Sequence, residues 1–211
     1  MTETARQPLV AALLRVQNRI QRIREQKESI GEQNTKAVLI DPVLSALGWS
    51  LEELDEVSPE YRRKPQDNPV DYALFMLQSP RLFVEAKALE KDLNDRKWIS
   101  QTLSYATVVG VEWCVLTNGD EYRLYNAHAA VPVEEKLFRV VRLSDGAQAE
   151  YTHDTLELLS KNKMGENLLN VLWKAHFIDR RVKVVLDSLF QNEDSGLIRL
   201  IRKATPRTES W

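Results

Sequence analysis

The sequence has little of what would assign it at once to a class of protein. A single cysteine, Cys114, excludes an internal disulfide framework and a zinc site built from cysteines. The sequence has no glycine-rich loop of the Walker A type. No apolar run approaches the roughly 18 residues of a membrane span, and the opening MTETARQPLV is not typical of a signal peptide. These absences favour a protein of the reducing cytoplasm that does not enter a membrane.

Composition sets the size of the protein and the kind of surface it presents. The chain has 211 residues, which suits one domain of ordinary size with a small appendage, and 43% of them are hydrophobic. The 29 basic and 31 acidic residues nearly cancel, to a net charge of −2. Any surface that binds nucleic acid must therefore be local rather than spread over the whole protein.

Two short apolar runs, Val70–Leu77 and Leu82–Ala88, lie on either side of the polar segment Gln78–Arg81. Runs of this length around a short break that contains proline predict a β-hairpin with its turn at residues 78–81. Three charged residues interrupt the apolar runs: Asp71 near the start of the first, and Glu85 and Lys87 within the second.

The positions of these charges suggest a metal site. Side chains alternate between the two faces of a strand, so Glu85 and Lys87 share a face, and Asp71 opposes Glu85 in a suitable register. Charges in such apolar strands are costly unless they are paired or bind a metal. Two adjacent carboxylates repel each other, and Mg²⁺, which favours carboxylates together with waters and phosphate oxygens, would remove that repulsion. The alternative is a salt-bridged pair on an edge strand.

The rest of the chain predicts a mixed α/β domain, in which a helix crosses between the second and third strands. Apolar spacing predicts helices over residues 8–30, 31–49 and 90–110, strands over 111–117 and 121–125, and an edge strand or loop over 131–141. In the second helix, Asp41-Pro42 either kinks the helix or restarts it with Asp41 as N-cap. Residues 57–69 are polar and predict a loop. From Thr155 the pattern is helical, with breaks near Gly165, Ile178 and Ser195.

Two further features lie close to the hairpin in sequence. Arg62, Arg63 and Lys64 form a basic cluster upstream of Asp71, where a phosphate backbone could be met, although a solvated loop explains the cluster equally well. Glu32 lies two helical turns before Leu39 on the same face, so it either projects towards the hairpin or complements the helix dipole.

Asp71, thirteen intervening residues and Glu85-x-Lys87 resemble the core of the PD-(D/E)xK nuclease superfamily. Gln101 and Tyr105 resemble the Gln-x-x-x-Tyr signature of the N-terminal nuclease domain in the motor (R) subunits of type I restriction enzymes. Further segments that resemble this domain are TKAVLIDPVLSALGW (35–49), PVDYAL (69–74), LFVEAKA (82–88) and LTNG (116–119). Those subunits continue into a helicase-like ATPase, which this sequence lacks, so the chain is either a stand-alone relative or a fragment.

The resemblance implies a restriction-endonuclease-like mixed β-sheet flanked by helices. The nuclease domain would span residues 1–150, and a helical C-terminal extension would span residues 151–211. It also implies a DNA endonuclease that uses Mg²⁺ or Mn²⁺, working alone or with subunits of a restriction system, with a homodimer through the helical termini as a further expectation.

The same resemblance assigns roles to individual residues. Asp71, Glu85 and the backbone carbonyl of Ala86 would bind the metal, and Glu32 would support the site. Lys87 would position the attacking water or help to deprotonate it. Gln101 and Tyr105 would line the site or contact the DNA backbone. The alternatives are a DNA-binding or assembly module without catalysis, and an interaction protein whose helical ends dimerise.

Overall fold

A mixed β-sheet forms the centre of the fold. The computed structural model describes residues 3–191, 196 and 200. Among them, six strands lie side by side in chain order: β1 (Val57–Tyr61), β2 (Val70–Met76), β3 (Ser79–Ala86), β4 (Trp113–Thr117), β5 (Glu121–Asn126) and β6 (Leu137–Arg142). Neighbouring strands are antiparallel except β3 and β4, which are parallel. Parallel neighbours need a long crossover, and the predicted helix between them supplies it. The mixed α/β fold is therefore confirmed.

The helices that precede the sheet run almost without interruption. They are α1 (Glu3–Gln26), α2 (Gly31–Thr35), a π-helical turn (Lys36–Ile40) and α3 (Asp41–Ala46). Asp41 is not an N-cap; its carboxylate instead accepts a hydrogen bond from the Tyr72 hydroxyl at 2.7 Å. The chain therefore continues helically past Pro42, and the alternative of a restart capped by Asp41 is wrong.

The β2–β3 hairpin is present, but its turn lies earlier than predicted. Leu77 and Gln78 both have positive φ angles, 51° and 61°, as in the two-residue type I′ turn that suits the twist of a hairpin. Pro80 and Arg81 therefore belong to β3 and not to the turn. The strand tolerates Pro80 because the ladder is irregular opposite it, between Leu74 and Phe75.

Strand β1 replaces the first part of the loop predicted over residues 57–69. It pairs with β2 at the edge of the sheet described above, through pairs such as Val57–Leu74. Pro59 lies within it, and proline is tolerated on an edge strand because one side of that strand makes no ladder hydrogen bonds. A polar strand with a proline carries no alternating pattern, so the sequence signal was weak.

The crossover helix α4 (Arg96–Val109) is shorter than the predicted 90–110. The Asp95 side chain caps it by accepting a hydrogen bond from the Lys97 amide, and Gly110, with φ 87°, ends it in the left-handed conformation. Residues 90–95 are not helical. Between the two alternatives for residues 131–141, the structure shows the edge strand β6.

Helices cover both faces of the sheet. On one face α4 contributes Leu103 and Ala106 to a buried cluster with Phe83, Cys114 and Leu116. Neighbouring side chains on a strand point to opposite faces. Tyr72, next in sequence to the cluster residue Ala73, accordingly reaches Asp41 of α3 on the other face. Helix α1 packs against α3. The charged residues of β2 and β3 therefore lie in interior strands, at one end of a sheet that helices cover on both sides.

The chain divides by its internal contacts into two units, residues 1–169 and 170–211. The first unit includes α5 (Ala149–Glu157) and α6 (Lys161–Gly165), and most of the described part of the second belongs to α7 (Leu168–Gln191). For the part of the C-terminal third that the structure describes, the helical character and the break near Gly165 are confirmed. The break near Ile178 is wrong, because α7 continues through it, and the break near Ser195 falls outside the described residues. None of the described helices combines the length and apolar character needed to cross a lipid bilayer.

Candidate functional site

The structure brings Asp71 and Glu85 together at one end of the sheet. Tyr72 pairs with Val84 in the β2–β3 ladder, and one more step of the same register sets Asp71 opposite Glu85. The Ala86 amide donates to Asp71 Oδ2 at 2.8 Å, which fixes that carboxylate beside the end of β3. Directly opposed residues have Cβ atoms about 5 Å apart, so the two carboxylates are neighbours.

Lys87 connects this pair to Glu32 on α2. Its Nζ lies 2.8 Å from Glu85 Oε1 and 3.6 Å from Glu32 Oε2. The same ammonium lies 5.0 Å from the centre of the Trp98 ring, a cation–π contact with α4. Only 9% of the Lys87 side chain is exposed, so its position is determined by these partners. Of the two interpretations of Glu32, the structure favours the one that projects it towards the hairpin.

Lys36 is a member of the cluster that the sequence analysis missed. Its Nζ lies 2.8 Å from Asp71 Oδ1, and the residue is buried on the π-helical turn. One sequence signal could have revealed it, because Lys36 follows Glu32 by four residues and helical residues four apart share a face. Three carboxylates and two ammonium groups thus meet at the end of the sheet: Glu32, Asp71, Glu85, Lys36 and Lys87.

Gly119 lets the π-helical turn approach the strand ends. It lies in the β4–β5 turn with φ 84°, and a Cβ atom added to it would lie 2.7 Å from the Cβ atom of Leu39. Thr35 Oγ1 also accepts a hydrogen bond from the Leu89 amide at 3.1 Å, just beyond β3. Any side chain at residue 119 would push the helical segment away and move Lys36 from Asp71. The Asn118-Gly119 turn therefore helps to build the site.

The charges of the cluster shift the pKa values of its members. Burial raises the pKa of Glu85, and the nearby charges of Asp71 and Glu32 add to the rise against the opposing effect of Lys87. Burial alone would lower the pKa of Lys87, but its hydrogen bond to Glu85 and the surrounding carboxylates outweigh this and raise it. Lys87 therefore stays protonated at neutral pH. This favours its role in positioning a water over its role in taking a proton from it.

Gln101 and Tyr105 lie on the face of α4 that borders the cluster. Together with Glu85, Thr102 and residues 66–70 they line a cavity of about 300 Å³. The Tyr105 ring stacks on Phe83 at 5.6 Å between centroids, and its hydroxyl accepts a hydrogen bond from the Arg63 amide. Gln101 is exposed and lines the same cavity. Among the described residues it makes no contact comparable to the ring stacking and hydrogen bond of Tyr105.

The basic segment 62–64 directly precedes the part of the chain that lines this cavity, residues 66–70. The Arg63 guanidinium donates to the Val108 carbonyl at 3.1 Å, and the Lys64 amide donates to Asp67 Oδ2 at 3.0 Å. Arg62, Arg63 and Lys64 are all exposed. These contacts hold the segment against α4, but its three residues do not line the cavity.

The oxygen donors of the cluster fit a hard divalent cation. Asp71 and Glu85 are adjacent carboxylates, and the backbone carbonyl of Ala86 follows directly in the chain, which is the oxygen chemistry that Mg²⁺ and Mn²⁺ prefer. Repulsion between carboxylates contributes to the raised pKa of Glu85, and a bound cation would relieve it. These residues are therefore the ones that would hold the metal.

A second group of potential ligands lies on α5, away from the hairpin. Ligand atoms of His153, Asp154 and Glu157 lie within 4.8 Å of one another. His153 Nδ1 is 3.2 Å from Asp154 and 4.0 Å from Glu157. These contacts are local to one helix, and they leave His153 Nε2 buried without a hydrogen-bond partner.

The fold and the site define a mixed α/β protein with a carboxylate–lysine cluster at one end of its sheet. No family model matches the chain, and neither a curated protein nor a solved structure matches it. A function for this chain therefore has to be argued from the chemistry of the site.

Proposed function

We propose that this chain is a metal-dependent endonuclease that hydrolyses phosphodiester bonds in DNA. The observation that carries the proposal is the meeting of Asp71, Glu85 and Lys87 at one end of the sheet, beside a cavity that Glu85 and Gln101 line. The resemblance of these residues and their spacing to the PD-(D/E)xK pattern supports the same function. The proposal includes a cytoplasmic location and subunits of a restriction system as partners.

The chemistry of the substrate explains why these residue types are needed. A phosphodiester carries a negative charge that repels a nucleophile, so hydrolysis needs that charge neutralised and a water aligned for attack. Mg²⁺ or Mn²⁺, held by Asp71, Glu85 and the Ala86 carbonyl, would supply the neutralising charge. The Lys87 ammonium, fixed by Glu85 and Glu32, would orient the water and stabilise the charge that develops on the phosphate.

The residues around the cavity would position the DNA. Arg62, Arg63 and Lys64 would contact phosphates, which makes DNA affinity fall as salt rises. Gln101 offers an exposed amide at the cavity, and Tyr105 holds the basic segment through the Arg63 amide. Gln101 therefore contacts the substrate in this proposal, whereas Tyr105 acts by positioning the segment that does so.

A second candidate is a DNA-binding or assembly module without catalytic activity. One observation favours it: each carboxylate of the hairpin pair already has a lysine partner, Lys36 for Asp71 and Lys87 for Glu85. The cluster is thus largely charge-compensated without any metal. Such a cluster could stabilise the end of the sheet and do nothing more.

A plasmid-cleavage assay with Mg²⁺, with Mn²⁺ and with EDTA separates these functions. We expect the wild-type protein to cut in either metal and not in EDTA, and Asp71→Asn to be inactive. The melting temperature should rise with millimolar Mg²⁺ in the wild type and not in Asp71→Asn, because only a protein that binds the ion gains stability from it. DNA binding without cleavage over a range of substrates, with and without restriction-system subunits, would favour the module. Failure to bind DNA would exclude both DNA-directed functions and leave an assembly or interaction role.

A further inference from the structure

Helix α7 exposes an apolar stripe along its described length. Val171, Ile178, Val182 and Val185 leave between 51% and 59% of their surfaces exposed and fall on one line of the helix, while Val184 and Leu186 are exposed off that line. Exposed apolar residues that follow one line favour a partner that covers them. The full stripe, in steps of 4, 3, 4, 3 and 4, is Val171, Ala175, Ile178, Val182, Val185 and Leu189.

The spacing of the stripe indicates the kind of partner. The alternation of four and three places two apolar positions in every seven residues, the pattern of a coiled-coil seam, whereas a helix that lies on its own domain shows a broader apolar face. In heptad terms Ala175, Val182 and Leu189 occupy a positions, and the other three residues occupy d positions. The partner that fits this seam is another helix with the same repeat.

The charged residues that flank the seam select the partner and its orientation. Lys174 is at a g position and Asp179 at the e position five residues later, the spacing at which g and e residues meet across a parallel pair. A second α7 in the same direction and register would place Lys174 beside Asp179 of the other copy, twice by symmetry. An antiparallel copy that kept the whole stripe in contact would instead oppose Asp179 to Asp179 and Arg181 to Arg181, which repels.

We infer that α7 pairs in parallel and in register with α7 of a second copy of this chain. The inference stands on the apolar stripe and its flanking charges, and it does not depend on the proposed function. If both are correct, each dimer carries two candidate sites.

A matched pair of substitutions tests the seam. Sedimentation equilibrium of the full chain over about 1–100 µM should give twice the chain mass of 24.3 kDa. Val182→Asp should weaken the dimer at least about tenfold. Val184→Asp should not, because Val184 lies two residues away on the same helix, is 60% exposed, and is off the stripe. A wild-type monomer throughout the range, or equal behaviour of the two variants, would overturn the inference.

Charge exchange and cross-linking test the orientation. Asp179→Lys should weaken the dimer, and adding Lys174→Glu should restore it. In a parallel pair residue 182 meets its own copy, so Val182→Cys should form a disulfide-linked dimer under mild oxidation, and Val184→Cys should not. The native Cys114 is buried and does not interfere. A dimer that Val182→Cys fails to cross-link, or that the charge exchange fails to restore, would overturn the parallel arrangement.

Discussion

Lys36 Nζ lies 2.8 Å from Asp71 Oδ1, and the two side chains are only 11% and 13% exposed. A helix that precedes the sheet thus supplies the counter-charge for an acid on the second strand. The pair joins elements 35 residues apart in the chain, and it lies at the centre of the proposed metal site. The same contact therefore bears on stability and on function.

Removing Lys36 should destabilise the protein. In Lys36→Met the Asp71 carboxylate loses its ion-pair partner in a nearly buried position, which we expect to cost about 3 kcal/mol. Urea unfolding without metal measures the change. Lys64→Met, at an exposed position, is the control and should stay within about 0.5 kcal/mol of wild type. The double variant with Asp71→Asn should recover most of the stability that Lys36→Met loses. If the double variant is as unstable as Lys36→Met, the lost ion pair is not the cause.

Lys87→Ala should separate DNA binding from cleavage. Removing an ammonium that holds the reacting groups typically costs two to three orders of magnitude in rate, so we expect cleavage to fall at least about 100-fold. Affinity for DNA, measured by fluorescence anisotropy, should change little. Because Lys87 also pairs with Glu85 and Glu32, the variant should melt earlier and must be assayed well below its melting temperature. Lys91→Ala, exposed and close in sequence, is the control, and an equal loss of cleavage there would argue against a specific role.

Stability without metal should fall with rising pH because of Glu85. Its pKa is raised in the folded state above the ordinary value of 4.5, so the folded protein binds more protons than the unfolded one between those two values. The free energy of unfolding therefore declines across that window as pH increases. Glu85→Gln should lose this decline relative to wild type in urea titrations from pH 4 to 8. The exposed control Glu52→Gln should retain it, and parallel curves for wild type and Glu85→Gln would contradict the assignment.

Gln101 should matter for cleavage and not for folding. It is exposed and lines the cavity, so Gln101→Ala should leave the free energy of unfolding within about 0.5 kcal/mol of wild type. Plasmid cleavage should fall several-fold because an amide that contacts the substrate is lost. Gln26→Ala, on the exposed end of α1, gives the comparison. Equal cleavage by the two variants would show that Gln101 is only part of the surface.

The hairpin and its charges could be predicted because apolar runs and strand parity are local properties. Asp71 and Glu85 share a face with the buried residues around them. A charge on an otherwise apolar face is unusual, and the sequence shows it directly. Lys36 could not be recognised in the same way, because a lysine on a helix is ordinarily solvated and only the π-helical turn and Gly119 bring it to Asp71. Strand β1 was missed because its stability comes from pairing with β2 and not from its own residues.

The π-helical turn Lys36–Ile40 lets the helix carry an extra residue without turning its two ends apart. Such a turn holds one residue more than an α-helical turn. Each π-helical residue turns the chain by about 80° instead of about 100°, so five of them turn it by nearly the same angle as four α-helical residues. Deleting the exposed Ala37 and returning to α-helical winding would therefore leave Glu32 and Lys36 on nearly the same side relative to α3. The orientation of the two helical members of the cluster thus tolerates the loss of this one residue.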